Sequence, residues 1–417
     1  MPGKLLRVVT AGSVDDGKST LVGRLLHDAK AVLSDQLSAV EAASERRGYE
    51  GADLALLVDG LRAEREQGIT IDVAYRYFAT AARTFVLADT PGHVQYTRNT
   101  VTGASTADVA VLLVDARHGV VEQTKRHAAV MHLLRVEQVV LAVNKMDLVD
   151  FSEEVFDGIV TDFAAAAGSL GLTSFTPIPI AALSGDNVVA GSPRMSWYDG
   201  PALLGFLEQV EPRELGSVPA RFPVQMVIRP RTEQRPDYRG YAGRVEAGAL
   251  HVGDKVVVLP SGRTSVVEGI DTPDGELAQA AAGRSVVVRL SDDIDIARGD
   301  LLARDSDPRP SVTRQFAGTV CWLTDRPLRA GDRFALRHTT RDVRAVVDEV
   351  RSRLDVATVT SEPSGELELN DIGTVRIRLA EPIIVDPYAR NRSTGAFLLV
   401  DEASGATVAA GMVADVD

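Results

Sequence analysis

The chain is poor in cysteine. Its 417 residues contain one, Cys321, so no internal disulfide can form, which fits a reducing compartment, the cytoplasm. Aromatic residues make up only 5%. Long apolar runs are missing too. None approaches the roughly 18 to 20 residues that a membrane-spanning helix needs. The N-terminal MPGKLLRVVT lacks the apolar region and small-residue cleavage site of a leader. No membrane partner is therefore expected. Positive charge is in deficit, with 45 Lys and Arg against 58 Asp and Glu, a net charge of −13. A chain-wide nucleic-acid surface needs clustered Lys and Arg, so no nucleic-acid partner is expected either. Cys321 reads as a small buried hydrophobe beside Trp322.

Apolar residues are 45% and charged residues 25%, an ordinary globular mix, and the length calls for two or three domains. In the first half, LLRVVTAG, TFVLADT, VAVLLVDA, QVVLAVNK and TPIPIAA are continuous aliphatic runs that predict buried strands. Between them, STLVGRLLHD, EQTKRHAAVMHLL and SEEVFDGIVTDFAAAAGSL carry helix-period apolar positions. Strands alternating with helices imply a parallel sheet covered on both faces. DVAYRYFAT is short, aromatic and alternating, and predicts an antiparallel edge strand. From Phe222 onward the pattern changes to short runs such as FPVQMVIR, KVVVLPSG, SVVVRL, DRFALRH and TVRIRLA, separated by Gly, Pro and Asp. Such spacing predicts β-barrels or sandwiches. The expected division is 1–212, 213–309 and 310–417, with a boundary near Pro308 to Pro310.

The first chemical motif is AGSVDDGKSTL. Gly12, Gly17, Lys18 and Ser19 satisfy G-x-x-x-x-G-K-[ST], preceded by a strand and followed by a helix as a phosphate-binding loop requires. Backbone N–H groups from Gly12, Ser13, Val14, Asp15, Asp16, Gly17, Lys18, Ser19 and Thr20 form the cradle. Lys18 is expected on the β- and γ-phosphates and the Ser19 hydroxyl on Mg²⁺. Two adjacent acids, Asp15 and Asp16, are unexpected beside a triphosphate; they are tolerable if their side chains turn away from it. The second motif is DTPGH, comprising Asp89, Thr90, Pro91, Gly92 and His93 at the end of a strand. Asp89 suits the water shell of Mg²⁺. Gly92 offers an unobstructed N–H to a γ-phosphate, and His93 is placed to position water.

The third motif, NKMD, selects the base. Ionised Asp147 is acceptor-only and matches the adjacent N1–H and 2-amino donors of guanine. Lys145 lays its stem over the base, Met146 lies between them, and Asn144 ties this loop to the phosphate loop. Thr70 in EREQGITI adds a hydroxyl as a second Mg²⁺ ligand, after a long charged insertion from Leu33 to Arg65 that suits a switch element. His127 and His132 are five apart on a predicted helix, do not share a face as a metal pair, and receive no chemistry.

The set GSVDDGKS, EREQGITI, DTPGH and NKMD, followed by β-rich sequence, resembles the translation-factor class of GTPases, of which elongation factor Tu is the familiar member. The resemblance is closer to the GTPase (large) subunit of the heterodimeric bacterial sulfate adenylyltransferase. It is carried by DLALLVDGLRAEREQGITIDVAYRYF, LSGDNVV, MSWYDGPALL, YRGYAGRVEAG and NRSTGAFLLVDEASGATVAAG, nearly to the last residue. It implies an α/β P-loop GTPase domain followed by two β-barrel domains. It also implies GTP and Mg²⁺, with Ser19, Thr70 and Asp89 around the metal and His93 as the catalytic histidine. The implied partner is a small catalytic subunit that makes adenosine 5′-phosphosulfate and pyrophosphate from ATP and sulfate. In keeping with that, this chain has neither an SGGxDS loop nor an HxGH pair for ATP chemistry of its own. Ala182 and Leu183 stand in the last guanine loop, where relatives carry Ser-Ala-Leu; here Ala181 replaces the serine, and the Ala182 N–H is expected on the guanine carbonyl. By the same resemblance Asp15 holds a monovalent cation such as K⁺ against the phosphates, while Asp16 has no assigned chemistry and is expected only to cap or solvate the loop. A single phosphate loop predicts no second, adenylylsulfate kinase activity. The alternative reading is an aminoacyl-tRNA carrier. Such factors read GHVDHGK where this chain reads GSVDDGK.

Overall fold

A computed structural model describes residues 5–30, 40, 44, 54, 73–93, 97–172, 174–212, 218–230, 238–355, 358 and 360–416. Thr70 and nearly all of the segment from 33 to 65 lie outside the described residues. The chain divides into two compact units, residues 1–213 with 355–360, and residues 214–354 with 361–417. No helix among the described residues is long and apolar enough to cross a membrane.

The first unit is built on a six-stranded sheet. Its strands are β1 (Leu5–Gly12), β2 (Ala74–Ala79), β3 (Thr84–Asp89), β4 (Val109–Asp115), β5 (Gln138–Asn144) and β6 (Thr176–Pro179). They lie in the order β2-β3-β1-β4-β5-β6. β2 pairs antiparallel with β3 at the edge, as its alternating aromatics predict, and the other pairings are parallel. All seven residues of β4 are buried, which is why it reads as an unbroken aliphatic run. Leu6, Val8, Phe85, Leu87, Val111, Leu113, Val140 and Ile178 form one core with Leu21, Val22 and Leu25 of helix α1 (Lys18–Asp28). Each such side chain contributes about 1.5–3 kcal/mol by leaving water.

Four further helices follow among the described residues: α2 (Thr97–Ala104), α3 (Glu122–Leu133), α4 (Glu153–Leu170) and α5 (Leu203–Gln209). The apolar period in the sequence singles out α1, α3 and α4 but neither α2 nor α5. α2 reads TRNTVTGA, whose β-branched and glycine residues are weak helix formers, and α5 has only 7 residues. Parallel pairing aligns the strand ends. Thr10 is in register with Asp89, and Asp115 with Asn144, so the three motif loops leave the sheet along one edge. That edge is where open α/β sheets bind ligands.

The second unit holds two antiparallel barrels. In the first, Lys255–Leu259, Leu301–Arg304, Phe222–Ile228, Gly240–Arg244, Ser285–Leu290 and Arg263–Thr272 are neighbours in turn, and the last pairs back with the first. In the second, the circuit is Arg333–His338, Ala396–Val400, Thr407–Val416, Ser311–Trp322, Ile372–Val385 and Arg341–Asp355, again closed. Cys321 is buried in this barrel beside Trp322. Between the barrels, Ile384 joins Val257, Leu259, Leu301 and Ala303 in an apolar seam. Beside it, Arg221 and Asp386 form a buried pair, Nε to Oδ2 at 2.8 Å and Nη2 to Oδ1 at 2.9 Å. Pro308 O accepts from Arg221 Nη2 at 2.8 Å, and Thr394 Oγ1 donates to Asp386 Oδ2 at 2.6 Å, so neither charge lacks partners.

Candidate functional site

The phosphate loop takes its shape from two left-handed residues. Asp15 has φ 65° and Gly17 φ 90°. Asp tolerates that region through its short polar side chain. Gly17 is needed for a second reason, because a side chain there would run into Asn144 Nδ2. Alternating backbone handedness turns successive N–H groups inward, the geometry of an anion nest. Helix α1 begins at once with no side-chain cap and no acid in its first turn, so its positive end faces the loop uncompensated. Ser19 and Thr20 sit half-buried in that turn, and Val14 lies exposed on the rim.

The two acids part company. Asp15 is exposed, whereas Asp16 is only 6% exposed and accepts from the Ser13 N–H at 2.5 Å. Asp15 turns outward, while Asp16 turns into the loop. The physical reason is local: its carboxylate caps the loop from within and satisfies an N–H that the turn leaves without a backbone partner. Burial pushes the Asp16 carboxyl above its usual range, and Lys18 draws it partly back. Lys18 is buried as well. Its Nζ donates to Gly12 O at 2.9 Å and Ser13 O at 2.6 Å. Burial lowers its pKa, opposed by Asp89, Asp16 and Asp15. An arriving anion would stabilise this ammonium further.

The DTPG turn closes on the same atoms. A Cβ added to Gly92 would lie 2.6 Å from Lys18 Nζ and 2.8 Å from Gly12 O. Only glycine lets the turn come that near. Thr90 Oγ1 donates to Thr10 O at 2.6 Å, and Thr10 Oγ1 donates to Asp89 Oδ1 at 2.8 Å, which fixes the carboxylate at the sheet edge. Pro91 is buried, and His93 follows Gly92, half-buried.

Asn144 joins the NKMD loop to the phosphate loop. Its Nδ2 donates to Asp16 O at 2.7 Å, and its Oδ1 accepts from Ala182 N at 3.0 Å. The Ala182 N–H, expected on a guanine carbonyl, is thus directed at Asn144. Lys145 is left-handed at φ 63°, and Met146 is fully buried beneath it. Asp147 is half-buried in the short 3₁₀ turn Met146–Val149. Leu183, next to Ala182, is 71% exposed, an apolar side chain with no core to fill.

Four residues enter the site without a sequence signal. Asp115, at the end of β4, accepts from Arg117 Nη2 at 2.7 Å, Arg117 Nε at 3.0 Å and Lys145 Nζ at 3.0 Å. Burial alone would raise its pKa, but these donors hold the carboxyl well below its usual range. Arg117 is in turn attracted to Asp147. Arg24 of α1 reaches the Ala182 and Leu183 carbonyls. His127 of α3 lies under the phosphate loop rather than in a neutral part of the core. Its ring hydrogen-bonds to the Gly12 backbone, and its Nε2 meets Gln123 Nε2 at 3.1 Å. Burial, then Lys18, pushes it down to about 3. Only the residue type advertised it; Gln123 is one turn away on the same helix, but Gly12 and Lys18 come from a distant segment.

Comparisons with known proteins supply the family. Residues 3–220 match the elongation factor Tu GTP binding domain family, and residues 315–414 match the GTP-eEF1A C-terminal domain-like family. The chain is 49% identical over 414 residues to sulfate adenylyltransferase subunit 1 of Aeromonas salmonicida (strain A449), covering 99% of this chain and 87% of that one. It is 50% identical over 415 residues to the same subunit of Tolumonas auensis, covering 99% and 87%. It is 54% identical over 412 residues to the bifunctional enzyme CysN/CysC of Mycobacterium tuberculosis (strain ATCC 25618 / H37Rv), covering 98% of this chain and 67% of that one. With a phosphate loop, a DTPG turn and an NKMD loop gathered at one sheet edge, the chain belongs to the sulfate adenylyltransferase subunit 1 family of elongation factor Tu-like GTPases.

Proposed function

We propose that this chain is the GTPase subunit of a cytoplasmic sulfate adenylyltransferase. GTP hydrolysis here drives the formation of adenosine 5′-phosphosulfate and pyrophosphate from ATP and sulfate on a small partner subunit. The observation that carries the nucleotide half of this reading is the convergence on Lys18. Gly12 O, Ser13 O and the Gly92 turn meet at its Nζ, while Asn144 ties the base loop to the same phosphate loop. The partner half is supported by the relatives named as subunit 1.

In this reading the phosphates enter the nest between Gly12 and Thr20, and Lys18 exchanges its two carbonyls for phosphate oxygens. The Gly92 N–H registers the γ-phosphate. His93 orients the attacking water, and the proton passes to bulk solvent or to a phosphate oxygen. Asp147 reads the N1–H and 2-amino group, Lys145 covers one face of the base, and Leu183 covers the other. Asp115 holds Lys145 and Arg117 in place for that task.

Mg²⁺ fits the residues present. The Ser19 hydroxyl and the Asp89 carboxylate are hard oxygen donors at the same sheet edge, and Thr10 already orients Asp89. Among the described residues no three His, Cys, Asp or Glu side chains form an all-protein cage, which suits an ion held largely by phosphates and water. When bound, it neutralises phosphate charge. A K⁺ ion at the exposed Asp15 belongs to the same proposal. If Asp15→Ala hydrolyses GTP with unchanged K⁺ dependence, that ion drops out.

The test is co-purification with a candidate small subunit, followed by an assay of pyrophosphate release from ATP and sulfate with and without GTP. The expected result is release that requires GTP. GTP-independent release would overturn the coupling, and stable binding of aminoacyl-tRNA instead would favour a translation-type carrier.

A further inference from the structure

The last guanine loop poses a problem that the motifs leave open. Position 181 is alanine, so the supporting hydroxyl that a serine would place there is missing, and the Ala182 N–H is already engaged by Asn144 Oδ1 at 3.0 Å. The far end of the loop is held by Asp186, which accepts from the Ser184 and Ser192 hydroxyls and from Arg194, and this leaves the Ala182 and Leu183 carbonyls at its tip to be fixed.

Arg24 fixes them from the other side. It lies on α1, the helix that also carries Lys18 and Ser19 at its first turn. Its Nε donates to Ala182 O at 3.2 Å, and its Nη2 donates to Leu183 O. The guanidinium is itself held: Asp28 Oδ1, one turn further along α1, lies 3.6 Å from Nη1 and also pairs with His27 Nδ1 at 2.7 Å. The Arg24 side chain is 20% exposed; its bond to Ala182 O is partly buried and its bond to Leu183 O lies at the surface. Next in the loop, Gly185 has φ 88°, and a Cβ there would touch Arg24 Cδ at 3.6 Å.

Peptide planarity converts this grip into a direction. In a trans peptide the C=O and the following N–H point opposite ways. Fixing the Ala182 carbonyl on Arg24 turns the Leu183 N–H away from α1, and fixing the Leu183 carbonyl does the same for the Ser184 N–H. Two consecutive N–H groups then point away from α1 at the exposed tip of the loop. We propose that Arg24 is a positioning residue for base recognition, aiming the Leu183 N–H at the 6-oxygen of the purine. It supplies the support that Ala181 does not. Because Arg24 and Lys18 share one helix, the base and phosphate subsites are set by a single rigid element.

The proposal rests on the guanine reading of this loop, and its test separates the two. Affinities of the full chain are measured for GDP and for 2-aminopurine riboside 5′-diphosphate, which lacks the 6-oxygen and the N1 proton. Wild type and Arg24→Met are compared, so ligand differences common to both proteins cancel. Losing one hydrogen bond's orientation should weaken GDP about 10-fold in Arg24→Met. Binding of the 2-aminopurine ligand should change less than about twofold. Arg24→Lys, which keeps one donor, should lie between, and it serves if the methionine variant does not fold. Equal losses for both ligands would reduce Arg24 to general support of the loop, and no loss for either would remove it from the site; each overturns the proposal. A wild type that does not prefer GDP over the 2-aminopurine ligand would instead overturn the guanine reading itself.

Discussion

Acid should weaken the first unit through His127. The ring is buried under the phosphate loop, hydrogen-bonds to the Gly12 backbone and takes a hydrogen bond from Gln123. Those partners fit a neutral imidazole with one donor and one acceptor. Burial and then the Lys18 charge lower its pKa from 6.5 to about 3. The native state therefore binds fewer protons than the unfolded chain between those values, so stability rises with pH across that window. The contribution is complete above the unfolded pKa of 6.5 and is lost progressively as pH falls toward 3. From pH 7 to pH 5 the loss works out at about 2 kcal/mol. With a urea slope of about 2 kcal/mol per molar for a unit of this size, the midpoint should fall by about 1 M. The chain has two tryptophans, Trp197 in the first unit and Trp322 in the second. A Trp322→Phe background thus makes Trp197 fluorescence a reporter of the first unit alone. Other groups titrate too, so the informative quantity is the difference from His127→Gln, which keeps a neutral polar side chain. The midpoint should fall with acid about 1 M less in the variant than in the parent. Equal acid sensitivity in the two proteins would refute the reasoning, because His127 would then titrate as it does in the unfolded chain.

Other expectations concern the nucleotide. His93→Ala should leave GTP affinity nearly intact and slow single-turnover hydrolysis by about two to three orders of magnitude; parallel loss of affinity and turnover would make it structural. Asp147→Asn should weaken GTP by about two orders of magnitude and move preference toward xanthosine triphosphate, whose 2-carbonyl accepts from the amide. Competition binding with both nucleotides checks this, and unchanged base preference would contradict the NKMD assignment. Gly92→Ala places a methyl 2.6 Å from Lys18 Nζ. GTP should then lose about tenfold more affinity than GDP, because the crowding falls where the third phosphate belongs; equal effects on the two nucleotides would move the γ-phosphate elsewhere.

What the sequence discloses depends on whether a signal is local. The strands of the first unit are legible because parallel strands buried on both faces leave unbroken runs such as VAVLLVD. The phosphate loop and the DTPG and NKMD turns are legible because each is one contiguous segment with a fixed spacing. Helix α2, rich in Thr, forms through its packing against the sheet rather than through propensity. The supporting residues stay hidden for a related reason: Arg24 meets its acceptor 158 positions away, and nothing in either segment points to the other. Asp16 shows a third kind of limit. Adjacent acids look equivalent in sequence, but the left-handed turn at Asp15 sends one side chain outward and the next inward.

The pair between Arg221 and Asp386 has a consequence for how such a chain can be inherited. The two residues are 165 positions apart and belong to different barrels, yet each supplies the counter-charge that the other needs in a dry seam. Removing one member of such a pair is destabilising by about 3–5 kcal/mol. A gene break in the stretch between Arg304 and Ser311 would therefore give two fragments, each with an apolar seam opened to water and a charge stripped of its mate. Recombination can carry the barrels to a new context as a couple far more easily than it can separate them.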